Sequence, residues 1–318
     1  MSEIPIVDIS QRNDNAQRGH LAQKFQEIAR GRGFLYLSNH GVSEKLISST
    51  FEATRRFHSL PLGEKMALKQ NKAHRGYQPP ASVTLLSSAE FAPASKPSQR
   101  ACLAVRHDID PADFDPTLPL QGENQWPVDD RIKKTATEYR DVITELGMSM
   151  LPLLSLAFGE DEHFLDSFFD PPTTTLLMAH YPANTALGQD EFGSAPHTDY
   201  GFSTFLAQDD IGGLQVQRED GSWLDVHPIP GTFVFNIGDM MARWTNGQFR
   251  STKHRVINKD PNHDRYSIPV FFDPNLTANI KTLSKFVSFD CPSLYKPVRY
   301  GDYYAERLNS NYVLAPVR

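Results

Sequence analysis

The chain of 318 residues carries 32 Lys and Arg against 38 Asp and Glu, a formal net charge of −6, with 39% hydrophobic and 22% charged residues. That balance suits a soluble globular protein with a sizeable core, and it gives no electrostatic reason to expect nucleic acid or an anionic membrane as partner, so a small molecule is the default ligand. Two cysteines, Cys102 and Cys291, leave no disulfide framework and no cysteine-rich zinc site. With no leader-like N-terminus and no apolar run of about 18 residues, a cytoplasmic monomer is expected.

In chain order, Leu21, Phe25, Ile28 and Ala29 recur at helical spacing and stop at Gly31 and Gly33, which predicts an amphipathic helix over 16–30. "FLYLSNHGV" reads as a buried strand and turn. Ser43 and Glu44 then open a second helix carrying Leu46, Ile47, Phe51, Thr54 and Phe57. The stretch "PPASVTLLSSAEFAPASKPSQRAC" has no clean period and reads as a long irregular loop, of the kind that is either disordered or part of a binding site. Pro127, Asp129 and Asp130 announce a longer helix, whose apolar positions Ile132, Ala136, Val142, Ile143, Leu146, Met150 and Leu154 keep helical spacing until Gly159.

Past Pro172 the texture changes to short strands and turns. "TTLLMAHYP" places Leu177, Ala179 and Tyr181 on one face and Met178 and His180 on the other, and Asp220-Gly221 between "GLQVQ" and "WLDVH" is a hairpin signal. "GTFVFNIGD", "HRVIN" and "RYSIPVFFDP" continue the series. Closely spaced strands without intervening helices predict a β-rich α+β fold: a jelly roll, or double-stranded β-helix, with surrounding helices. The expected organisation is an N-terminal region, 1–120, packed on a catalytic core, 121–318, as one compact unit.

"SAPHTDYGFSTFL" sets His197 and Asp199 two positions apart, and residues i and i+2 of a strand face the same way, so an imidazole and a carboxylate could meet at one point. Of the downstream histidines, His227 precedes a proline and His263 lies in a turn, whereas His254 opens "HRVIN" and is the favoured third ligand. Two histidines and one carboxylate on one side of a metal leave positions open, which suits non-haem Fe(II) rather than closed structural zinc. Arg265 and Ser267 share a face of the next strand and together suit a carboxylate anchor.

With those residues in view, the chain resembles the isopenicillin N synthase-like branch of the Fe(II)- and 2-oxoglutarate-dependent oxygenases. The likeness runs over nearly the whole length, through "IPIVDIS", "GFLYLSNHGV" and "RGY", then "HYPAN", "PHTDYGFSTFLAQDDIGGLQV", "FVFNIGDMMARWTNGQFRSTKHRV" and "DRYSIPVFFDPN". The resemblance implies that His197, Asp199 and His254 ligate iron, and that Arg265 and Ser267 hold the distal carboxylate of the cosubstrate 2-oxoglutarate, which Tyr181 also reaches. Two places depart from the family pattern: Ala179 stands where many relatives have asparagine, and "SKPSQRAC" replaces a common Asp-x-Lys-Glu, so substrate contacts around 81–105 do not transfer.

The activity implied is oxidation, most often hydroxylation, of a C–H bond in a small organic molecule, consuming O₂ and 2-oxoglutarate and releasing succinate and CO₂. The rival readings are an oxidase of the same fold that needs no 2-oxoglutarate, a non-catalytic binding protein, and, least favoured, a zinc hydrolase. Phe205 and Leu206 are expected to line or support the site, and "GDYYAERL" to form a helix closing its entrance.

Overall fold

The computed structural model describes residues 4–83, 97–109, 112, 114–115, 117–183 and 191–311. In chain order it contains β1 (Ile6–Asp8), α1 (Asn15–Gly31), β2 (Phe34–Ser38), α2 (Glu44–His58), α3 (Leu62–Ala67), β3 (Gly76–Gln78), β4 (Ala101–Arg106) and α4 (Asp130–Ala157). There follow β5 (Thr173–Tyr181), β6 (Ser194–His197), β7 (Ser203–Gln208), β8 (Leu214–Gln217), β9 (Trp223–Asp225), β10 (Thr232–Ile237), α5 (Asp239–Trp244), β11 (His254–Val256), β12 (Arg265–Asp273), β13 (Asn279–Ile280), β14 (Val298–Arg299) and α6 (Tyr300–Asn311).

The three long helices lie where periodicity puts them. Asp14 caps α1 by accepting the Ala16 N–H at 2.8 Å, and Asp129 caps α4 by accepting the Arg131 N–H at 3.1 Å. Ser43 holds the cap position of α2, but its hydroxyl makes no bond to the helix, so that start relies on the acidic Glu44 in the first turn.

Two sheets form the expected double-stranded β-helix. The larger runs β1-β2-β10-β7-β12-β5-β4-β3 and the smaller β6-β11-β8-β9. Strands from the first third of the chain thus share one sheet with β5, β7, β10 and β12. The long loop read from sequence runs into β4 at Ala101 and Cys102, a strand not foreseen because its run "ACLAVR" has no alternation, all six residues being buried; residues 84–96 of that loop lie outside the described residues.

The period-2 pleat of the large sheet separates two environments. On β12, Ile268, Val270 and Phe272 join the core beneath α1, α2 and α4, whereas Arg265, Ser267, Pro269 and Phe271 face the barrel interior. On β7, Leu206 faces the interior but Phe205 packs edge-on against Phe235 in the helical core, so of the two apolar residues expected at the site only Leu206 lines it.

Gly147 lets α4 approach β12 closely. A Cβ there would stand 2.6 Å from Cδ2 of Phe272, whose ring is fixed by stacking on Phe169 at 5.0 Å. Gly147→Ala should therefore lose about 1–3 kcal/mol to overpacking, outweighing the helix-propensity gain of about 1 kcal/mol. Urea unfolding would measure it; a more stable variant would mean that the helix and sheet have room to spare.

Candidate metal centre and cosubstrate pocket

Three side chains converge where the two sheets meet. His197 is the last residue of β6 and His254 the first of β11, and the two are directly paired across the small sheet with ring centroids 4.3 Å apart. Asp199 does not share a strand with His197 as the i, i+2 argument assumed: β6 ends at His197, and Asp199 sits in the turn leading to β7. Its Oδ1 nevertheless lies 3.8 Å from His197 Nε2 and 3.6 Å from His254 Nε2, and the three candidate ligand atoms all fall within 4.8 Å of one another. His227 and His263 point elsewhere: both are exposed, and His263 pairs with Asp260 at 2.7 Å.

Hydrogen bonds behind this cluster fix which atoms face its centre. His197 Nδ1 donates to the Ala195 carbonyl at 2.7 Å and His254 Nδ1 to the Thr252 carbonyl at 3.1 Å. A carbonyl can only accept, so each Nδ1 carries the hydrogen and each Nε2 presents a lone pair. Asp199 Oδ2 accepts from Thr204 Oγ1 at 2.5 Å and Asn236 Nδ2 at 2.7 Å, which leaves Oδ1 to face the histidines. Sequence reasoning missed both donors, although Thr204 and Asn236 are polar residues at inward positions of otherwise apolar strands, where a partner is obligatory.

Electrostatics agree with metal binding. Burial, with His254 alongside, pushes His197 down to about 3, so it is neutral and able to ligate. Burial alone would raise the Asp199 carboxyl, but the adjacent His254 and His197 and the bonds from Asn236 and Thr204 outweigh it and hold it below the ordinary range. Tightly grouped neutral imidazole and carboxylate donors, with solvent-excluded space on the open side, are the donor set of a non-haem divalent iron site.

Beside this cluster lies a narrow pocket ending at Arg265. The guanidinium is buried, its Cζ 4.6 Å from the Tyr181 ring centroid, and its Nη2 donates weakly to Gln208 Oε1 at 3.4 Å. Its Nε and Nη1 have no partner among the described residues. Unmatched donors on a buried cation are costly, so the pocket is built for an anion that a fork-shaped group can grip. Ser267, Leu206 and Val256 line the same pocket, and Ala179, paired with Ser267, contributes no polar group where many relatives carry asparagine. The donors present fit both iron and the distal carboxylate of 2-oxoglutarate.

Comparison with known proteins agrees. Residues 172–274 match the 2OG-Fe(II) oxygenase superfamily, and residues 4–129 match the N-terminal region of the non-haem dioxygenases in morphine synthesis. The 2-oxoglutarate-Fe(II) type oxidoreductase hxnY of Emericella nidulans is 33% identical over 312 residues, covering 94% of this chain and 87% of that protein. Homoarginine-6-hydroxylase 2-ODD-233 of Oryza sativa is 28% identical over 98% of each chain. The crystal structure of a full-length Neurospora crassa protein in complex with alpha-KG and thymine superposes with a TM-score of 0.83 at 28% identity over 96% of each chain. The chain belongs to the 2-oxoglutarate- and Fe(II)-dependent oxygenases. It is thus a non-haem iron dioxygenase whose cosubstrates are 2-oxoglutarate and O₂. Among the described residues no helix is long and apolar enough to cross a membrane.

Asn236 orients the carboxylate without touching the metal position. Asn236→Ala should weaken divalent-metal affinity about 10–100-fold, as for other residues that brace a ligand. Co(II) titration followed by visible absorption would read this, and unchanged affinity would show that Thr204 alone orients Asp199.

Proposed function

We propose that the protein oxidises, by hydroxylation, a C–H bond of a small organic molecule, with His197, Asp199 and His254 holding Fe(II) and Arg265, Ser267 and Tyr181 holding 2-oxoglutarate. The observation that carries the reading is the pairing of a three-donor cluster with a buried guanidinium whose Nε and Nη1 lack partners among the described residues, in one continuous interior. When bound, the iron and 2-oxoglutarate supply the oxidising power: substrate C–H, O₂ and 2-oxoglutarate become C–OH, succinate and CO₂. The name of the Oryza sativa relative, a homoarginine hydroxylase, supports hydroxylation as the outcome.

The chain's own contribution is position and shelter. Nδ1–H bonds from the two histidines to backbone carbonyls lock the rings, so both Nε2 atoms stay aimed at one point through turnover. Arg265, resting against Tyr181, neutralises the far carboxylate and sets the direction in which the cosubstrate lies. Phe34, edge-on to His254 at 5.3 Å, with Leu214 and Val256, keeps water from that end of the pocket. The second cavity meets the cluster at His197 and Asp199, and α6 walls it through Tyr304 and Leu308. Residues of "GDYYAERL" thus form part of that cavity's wall.

His197→Ala and Asp199→Ala should each abolish O₂ uptake and succinate release and lower bound Fe(II) by metal analysis. Iron-dependent turnover retained in both would overturn the ligand assignment. Arg265→Lys keeps the charge but loses the planar fork, so calorimetry should show 2-oxoglutarate bound about 10–100-fold more weakly; equal affinity would place the distal carboxylate elsewhere. In a turnover assay, succinate and oxidised product should form one for one, and product without succinate would favour the oxidase reading.

A further inference from the structure

Arg265 has a counterpart at the other end of the same wall. On β4, Ala104 and Arg106 face the interior, and Arg106 stands opposite Thr175 of β5 while Arg265 stands opposite Tyr181 of that strand. At about 3.3 Å per residue, the two arginines are rooted roughly 20 Å apart along β5. His197 and Asp199 border both the Arg265 pocket and the cavity at the Arg106 end. The metal cluster therefore lies between two arginine-tipped compartments.

The Arg106 end holds a buried cation that keeps one donor unmatched among the described residues. Arg106 is only 5% exposed, its Cζ lies 5.4 Å from the Tyr304 ring centroid of α6, and its Nε has no hydrogen-bond partner among the described residues. Gln70 Nε2, in the same cavity, is likewise buried without a partner among them. Next to Arg106, Arg75 spends its donors on neutral acceptors, the His107 and Leu120 carbonyls and Asn124 Oδ1. Burial and the Arg106 charge hold Arg75 down to about 10, a sign of crowded cations. Of the carboxyls lining this cavity, Asp199 belongs to the metal cluster, and Asp273, which accepts the Phe202 N–H at 2.6 Å, is pushed up to about 7 by burial against the pull of the Arg106 charge. Ala104, Leu177, Phe271 and Leu308 give the wall an apolar stretch, alongside polar residues that include Arg100 and Thr175.

We propose that the primary substrate is an organic acid with an apolar body, its carboxylate held by Arg106 and Gln70 and its body lying along Ala104, Leu177 and Phe271 towards the metal cluster. This rests on the reading of the Arg265 pocket as the 2-oxoglutarate site, which leaves the Arg106 compartment for the substrate. A buried guanidinium with an unmatched donor selects a carboxylate over its neutral isostere because the isostere leaves the charge uncompensated. The apolar stretch then places the tail, not the acid group, beside the metal.

The test is calorimetry on the Fe(II)- and 2-oxoglutarate-loaded protein under argon. The probes are hexanoic, cyclohexanecarboxylic, phenylacetic and decanoic acids, each beside its primary amide. At least one acid should bind about tenfold or more tightly than its amide. Arg106→Gln should erase that preference while 2-oxoglutarate affinity stays at the wild-type value, and Arg106→Lys should keep part of it, with thermal melting confirming that each variant folds. If Arg106→Gln does not fold, the wild-type preference and Arg106→Lys decide the matter. Equal binding of acids and amides, binding of no acid, or an acid preference that survives in Arg106→Gln each overturns the proposal. The 2-oxoglutarate isotherm of the wild type is recorded first, so a failure of the cosubstrate reading appears there and not in the acid series.

Discussion

A carboxylate buried between two imidazoles is electrostatically incomplete, and the arrangement of the barrel follows from that. Asp199 is 7% exposed, with one oxygen spent on Thr204 and Asn236 and the other left facing His197 and His254. The histidines cannot supply the missing charge cheaply: burial pushes His197 towards neutrality, and each Nδ1–H is already committed to a backbone carbonyl. A divalent cation resolves the imbalance, and because all three donors come from one side, the opposite side stays open for exchangeable ligands. Close backbone packing holds the turn bearing Asp199 in place, since a Cβ on Gly238 would meet the Gly201 carbonyl oxygen at 2.2 Å.

The same reasoning extends outward to Arg265. A buried guanidinium with two donors unmatched among the described residues carries an unfavourable desolvation that an anion relieves. Tyr181, opposite Arg265 in the β5–β12 ladder, holds the charged group in place without competing for its donors. Because the large sheet puts polar function on one pleat face and the helical core on the other, α1, α2 and α4 stiffen the site without contributing a side chain to it.

The N-terminal strands and α6 finish the enclosure. β4 joins β5 in the large sheet and brings Ala104 and Arg106 into the interior, while Tyr304 and Leu308 of α6 complete the wall at that end. Both segments border the cavity at the Arg106 end. With the proposed substrate there, chemistry common to the family and selectivity particular to this chain are assigned to opposite ends of one cavity.

Local spacing was enough to fix several features from sequence alone. The helical periods of α1, α2 and α4 survive because their apolar stripes must face the sheet, and the pairing of Arg265 with Ser267 on one face follows from the pleat of β12. His254 at the start of a strand was legible for the same reason. Other features depended on contacts distant in the chain: β4 carries no alternation because both of its faces are buried. Asp199 reaches the histidines through a turn held by Asn236, 37 residues away, rather than through a strand pleat. Phe205 and Leu206 are adjacent, yet the pleat sends one to the helical core and the other to the metal site. Sequence determined which residues could carry the chemistry, since residue type and short-range period are local properties; which of them meet, and which donors lack a partner, was decided by the tertiary structure, because burial and long-range pairing exist only in the folded chain.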